Sequence, residues 1–158
     1  MDKFDYNNSK KENISCNLCG KDDFYILAHK AGGRDGVKTC LCKNCGLIYI
    51  NPRMTKDEYE NYYKYFYRDD RASVKNRIDD GGELEKNFEN ARKFGHALAL
   101  RLKDYIKPGL TLDVGSSTGG ILRGFEEKID NLKIVGIEPS LDESTFANNK
   151  GIKTYLAL

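Results

Sequence analysis

The stretch LDVGSSTGG, residues 112–120, closes an apolar strand pattern and turns through glycine into a helical one. Upstream of it, Lys107-Pro108-Gly109 stops a long helical pattern and LTLDV begins a strand. Downstream the texture alternates: helix GILRGFEEKI, strand KIVGIE, turn PS, helix LDESTFANNK, short strand GIKTYLAL. Strand, helix, strand, helix, strand is the opening of a parallel α/β sheet, so residues 83–158 are expected to form one.

A glycine turn between a strand and its helix lets a ligand lie against the backbone, and two ligands use it: dinucleotides and S-adenosylmethionine. A G-x-G-x-x-G fingerprint set on Gly115 needs glycine where this chain has Ser117, although Gly120 matches the third position. Asp113 would hold a carboxylate near a pyrophosphate, whereas it can accept hydrogen bonds from the cationic methionine end of S-adenosylmethionine. No Gly-Lys-Ser/Thr follows, which excludes a Walker loop. Glu138 ends the next strand, 25 residues after Asp113, where a carboxylate can accept both ribose hydroxyls of an adenosine. That serves either ligand. The plainer reading makes Asp113 and Glu138 two ordinary strand-end acids.

Cys16 and Cys19 form a C-x-x-C-G with Gly20, Cys42 and Cys45 another with Gly46, and 22 residues separate the pairs. Such a turn places two sulfurs on one side of a tight knuckle, and two knuckles complete a tetrahedral four-cysteine site. Zinc is the expected occupant, with a disulfide pair or a redox C-x-x-C as the competing readings. A closed four-thiolate site has no open position for water or substrate, so its metal would be structural. Cys40 could compete as a ligand but reads as a small buried residue, and His29, without ligand spacing, reads as structural. Lys30, Arg34 and Lys38 scatter as on a solvated face, which argues against a nucleic-acid track.

The rest of the chain falls into place around these two signals. Residues 1–13 are polar and aperiodic, as in a loose tail; residues 14–50 read as a small β-rich zinc ribbon. Residues 51–82 hold a tyrosine-dense helix, TKDEYENYYKYFY, and a polar linker, RDDRASVKNRIDDGG. Thr55 and Glu58 have the spacing of a capping box. A long helix from about Leu84 to Ile106 carries Phe88, Ala91, Phe94, Leu98, Leu102 and Tyr105 at three- or four-residue intervals. With 158 residues, 39% hydrophobic and 32% charged, the chain suits one domain or two small ones. A net charge of +2 provides no broad basic field. No signal peptide or membrane span is legible, so the expected compartment is the cytoplasm, where four of the five cysteines suit metal thiolates better than disulfides.

LDVGSSTGGIL with VGIEPS resembles the cofactor loop and acidic strand end of class I S-adenosylmethionine-dependent methyltransferases. CNLCG, CKNCGLIYINPRMTKDEYENYY and the KPG entry resemble the subset with an N-terminal zinc module, which includes enzymes acting on nucleotide-linked sugars, other small metabolites and glycan precursors. The resemblance covers roughly residues 14–67 and 90–155. It implies a partial Rossmann-like sheet behind the zinc ribbon, with methyl transfer to a small-molecule acceptor such as a sugar or glycan precursor. It further implies that Asp113, Gly115 and Gly119 hold the methionine part of the cofactor and Glu138 the ribose; Ser116 and Ser117, within the same turn, are counted with them as cofactor-binding residues, although many family members have glycine where this chain has Ser117. The 38 residues after Gly120 are too few for the family's complete sheet, so the expectation is a truncated methyltransferase, inactive in isolation. Its first strand would keep an open edge that invites pairing with another copy. Tyr62, Tyr63 and His96 are the general-base candidates in reach, but tyrosines on one helix and a lone histidine on a long one more often pack a core, so no catalytic residue is named. The alternatives are a zinc-ribbon interaction module beside a vestigial half-sheet, and an NAD-dependent enzyme.

Overall fold

A computed structural model describes residues 4–30, 36–68, 70 and 82–158. Residues 31–35, Arg34 among them, and most of the linker RDDRASVKNRIDDGG lie outside the described residues. The fold is mixed α/β, and the chain divides into two compact units, Met1–Asn61 and Tyr62–Leu158.

In the first unit, β1 (Lys11–Glu12) pairs antiparallel with β5 (Arg53–Met54), while β2 (Phe24–Ala28), β3 (Thr39–Cys42) and β4 (Ile48–Ile50) form an antiparallel meander. Part of the expected tail is therefore strand, tied by Arg53 Nε donating to Glu12 Oε1 at 3.0 Å. The core of this unit is Cys16, Cys40, Cys42 and Tyr49, with Ile14, Phe24 and Leu47 packed against it. Cys40 is fully buried, as expected of a packing residue, and its Sγ faces the carbonyls of Lys38 and Asn51. Helix α1 (Lys56–Tyr65) follows. The expected capping box is replaced by a bracket onto the residue before β1: the Thr55 amide donates to the Lys10 carbonyl at 3.1 Å, and Glu58 Oε1 accepts from the Lys10 amide at 3.3 Å.

The second unit contains α2 (Glu83–Leu102), β6 (Gly109–Val114), α3 (Gly120–Glu126), β7 (Leu132–Glu138), α4 (Leu141–Asn149) and β8 (Thr154–Leu156). The three strands form a parallel sheet in the order β6-β7-β8, with Asp113 opposite Gly136 and Glu138 opposite Leu156. Its core joins Phe88, Leu122, Leu132, Ile134, Ala147 and Ile152. Helix α2 ends four residues earlier than its apolar pattern suggests, because the Tyr105 amide closes a tight turn onto the Leu102 carbonyl at 2.8 Å.

The buried face of α2 also differs from the expected stripe. Phe94, Leu102 and Tyr105 are exposed, and the face turned inward is Phe88, Gly95 and Ala99. The reason is close helix approach: a Cβ on Gly95 would stand 2.5 Å from the Ile121 carbonyl oxygen, and one on Gly120 would meet Ala91 Cβ at 2.7 Å. Two backbones can come this near only where one or both residues lack a side chain. On the other side, Leu110, Leu112 and Val114 of β6 stand outward at 72%, 54% and 73% exposure. Among the described residues β6 pairs with β7 alone, and no helix is long and apolar enough to cross a membrane.

Candidate functional site

Two constellations stand out, one in each unit. In the first, Cys16, Cys19, Cys42 and Cys45 each offer a sulfur, and all four sulfurs lie within 4.8 Å of one another. Cys16 Sγ is 3.5 Å from Cys45 Sγ, and Cys19 Sγ is 3.6 Å from Cys42 Sγ. Thiolates at about 2.3 Å from a tetrahedral zinc stand a little under 4 Å apart, which this spacing approximates.

The two knuckles are built alike. Cys16 N donates to Lys21 O at 2.9 Å and Gly20 N to Cys16 O at 2.8 Å; Cys42 N donates to Leu47 O at 2.9 Å and Gly46 N to Cys42 O at 3.0 Å. Gly20 and Gly46 sit at φ +71° and +77°, the left-handed region that lets each chain double back under its sulfurs. Four thiols this close cannot all ionise without a cation. The Lys21 amide leads in lowering Cys19 to about 6, with help from Asn44 and the neighbouring sulfurs. Cys45, although it takes the Leu47 amide, is pushed up to about 12 by burial and by the sulfurs around it. A dication held by all four removes that conflict, so the donor set, spacing and electrostatics suit a metal such as zinc.

In the second unit the glycine turn joins β6 to α3. Gly115 N and Ser116 N donate to Ile137 O at 2.8 and 3.0 Å, which fastens the turn to β7. Gly115 has φ +81°, and a Cβ added there would meet nothing within 4 Å, so this position opens onto free space. Ser117 holds φ +50°, unusual for a residue with a side chain. What holds it there is Glu138, buried to 4% exposure, whose Oε2 accepts from Ser117 N and whose Oε1 accepts from Ser140 N, each at 2.8 Å. One carboxylate thus ties together the turns that follow two neighbouring parallel strands.

Gly115, Ser117 and Glu138 line a cavity of 430 Å³ together with Val114, Ile137, Pro139 and Leu158. The other residues singled out at the turn are placed differently. Ser116 is buried and packs into the space that the missing side chain of Gly136 leaves. Gly119, at φ +78°, backs onto Ile152, whose Cδ1 would stand 2.8 Å from an added Cβ. Asp113 is half-buried and lines neither this cavity nor a smaller one of 170 Å³ that shares Tyr67, Ser117 and Glu143 with it; burial raises its carboxyl above the ordinary value. Of the general-base candidates, Tyr63 lines the cavity, while Tyr62 is buried, stacks edge-on to Tyr63 and donates its hydroxyl to Asp70 Oδ2 at 3.0 Å. His96 pairs with Glu127 at the C-terminal end of α3, about one helix length of 10 Å from the turn.

Four residues around this site carried no signal in the sequence: Tyr67, Arg68, Thr118 and Glu143. Glu143 occupies the first turn of α4, where an acid reads as ordinary helix chemistry, yet it is buried to 9% exposure. No protein-family model matches the chain, and no curated protein matches it.

Proposed function

We propose that the second unit binds S-adenosylmethionine at the glycine turn and serves methyl transfer to a small-molecule acceptor, a sugar or glycan precursor, while the first unit is a zinc ribbon. The observation that carries this reading is the convergence of Gly115 and Glu138, from the ends of adjacent parallel strands, on one cavity of 430 Å³. Its size falls in the range of roughly 300–1,000 Å³ usual for small-molecule sites.

The lining suits an adenosine. Val114, Ile137, Pro139 and Leu158 offer an apolar wall for the base, and Glu138 offers the ribose a carboxylate. Both Glu138 oxygens already accept a backbone amide, but each has a second lone pair for a ribose hydroxyl. Ser117 supports the choice between cofactors: its side chain stands where a dinucleotide's pyrophosphate needs bare backbone, which disfavours NAD. When bound, S-adenosylmethionine would supply an electrophilic methyl group on a sulfonium. The chain's own residues then hold and orient it, because positioning supplies much of the rate in such a displacement.

Calorimetric titration with S-adenosylmethionine, S-adenosylhomocysteine and NAD tests this reading. Heat from the two adenosyl-sulfur compounds and none from NAD is expected; binding of NAD alone overturns it. A second reading has its own support, since Leu18, Tyr25, Leu27 and Ile48 of the first unit are exposed apolar side chains. If zinc is stoichiometric and no nucleotide binds, the zinc ribbon as an interaction module becomes the better account.

A further inference from the structure

Successive residues of a strand point to opposite faces of its sheet, and the two faces of the parallel sheet differ here. Leu132 and Ile134 of β7 point to the side where α2, α3 and α4 deliver Phe88, Leu122 and Ala147, and there the core forms. The opposite face is made by Leu110, Leu112 and Val114 of β6, Val135 and Ile137 of β7, and Tyr155 of β8. Register lines them up, with Leu112 beside Val135 and Val114 beside Ile137 beside Tyr155. Leu110, Leu112, Val114 and Tyr155 are each more than half exposed.

A parallel sheet is normally covered on both sides, because its strands are apolar on both. This one is covered on one. The four most exposed side chains present on the order of 500 Å² of largely apolar surface, the scale at which a patch marks an interaction site. A stable interface between proteins buries roughly 800 Å² on each side, a little over half of it apolar. The face therefore supplies the apolar share of one such interface. Within the strands its one charged residue is Lys133, near the start of β7, which gives a nucleic acid or an acidic protein little to grip. The pairing runs from residue to residue without a shift, so the face is regular enough to stack on another sheet.

We propose that two copies of the chain stack these faces about a two-fold axis, sheet against sheet, and that each copy forms the outer wall of the other's larger cavity. Val114 and Ile137 belong to the bare face and also line the cavity of 430 Å³, so what covers the face covers that side of the cavity. A second copy brings a face of the same area and the same low charge, as a two-fold contact requires. Pairing through the β6 edges instead would lengthen the sheet sideways and leave both apolar faces in water. The contact does not depend on which ligand the cavity takes.

Sedimentation equilibrium of the zinc-loaded full chain tests this, with amide spectra recorded over the same concentrations. The average mass should rise from that of one chain toward that of two through the micromolar range, and the amides of Leu112, Val135, Ile137 and Tyr155 should shift as it does. Leu112→Lys and Tyr155→Lys, both at exposed positions, should each weaken association at least about tenfold while the spectrum stays dispersed. Leu18→Lys, at an exposed position of the first unit, should leave association unchanged. A single-chain mass at every concentration overturns the proposal and leaves the face to a different partner. A dimer that Leu112→Lys weakens and Tyr155→Lys does not also overturns it, because β8 lies beyond β7 from the β6 edge and edge pairing would spare it. Loss of the dimer with Leu18→Lys does the same, by moving the contact to the first unit.

Discussion

Gly115 and Gly120 are the same letter five positions apart, and the structure gives them opposite tasks. At Gly115 the need is conformational: φ is +81° and the space beyond is open. Gly115→Ala should cost only the left-handed penalty, about 1–2 kcal/mol, and leave the fold intact. At Gly120 the need is steric, because an added Cβ would meet the Phe88 carbonyl, Ala91 Cβ at 2.7 Å and the Arg92 amide at 3.0 Å. Backbone cannot swing aside as a side-chain tip can, so Gly120→Ala should destabilise the second unit by more than Gly115→Ala does; urea unfolding of the two variants makes the comparison. The cysteines divide in the same way. Cys40→Ala should leave one metal ion per chain and Cys42→Ala should not, as metal analysis by mass spectrometry would read, because Cys40 Sγ faces two carbonyls while Cys42 Sγ joins the cluster. The C-x-x-C spacing made that distinction legible in advance. Nothing in the sequence separated Gly115 from Gly120, since both match a glycine-turn pattern and only the neighbouring helix tells them apart.

At the scale of elements, α2 and α3 are held by small residues at their crossing and by ion pairs at one end. Arg92 bridges Glu89 and Glu127, and His96 also meets Glu127. Burial works to raise the Glu127 carboxyl, but hydrogen bonds from His96 and Arg92 outweigh it and hold it below its ordinary value of 4.5. A carboxylate lowered in the folded state stabilises above its unfolded value, and that stability is lost as pH falls through the folded one. Glu127→Gln should therefore flatten the loss of stability below pH 4.5. The effect should be small, under about 1 kcal/mol, because the side chain is 37% exposed and solvent screens it. Urea midpoints measured at several pH values check it, and an acid limb as steep in the variant as in the parent would discount the pairing. Sequence periodicity located α2 and the N-terminal part of its inner face, Phe88 and Ala91, but not the rest of it. Large apolar residues at helical spacing normally mark the core side, whereas Phe94 and Leu102 are exposed and Gly95, with no side chain, lets α3 come close.

At the scale of the molecule, the two units have different cores. The second has a conventional apolar cluster running from Phe88 to Ile152, while the first is centred on three cysteines and a tyrosine. A unit this small with so little hydrocarbon depends on a cross-link or metal for its stability. Chelation should therefore unfold the first unit and leave the second folded. Amide spectra with and without a chelator give the test: dispersed signals from residues 14–50 after complete metal removal would show that the cysteines are not what holds that unit.

The sequence by itself determined what depends on local spacing and on residue type. Two C-x-x-C-G knuckles, the alternating strands and helices after Gly109, the glycine turn after the first of those strands and the acid that ends the second are all readable because each is set by residue type and backbone chemistry within its own short segment. Tertiary structure alone decided which of those residues share a space. It drew Gly115, Ser117 and Glu138 to one cavity, left Asp113 outside it, and brought Tyr67, Arg68, Asn87 and Glu143 from three separate segments to a second. A cavity is the gap left when distant elements pack, so its lining follows from how sheet and helices cross, and no spacing along the chain encodes it.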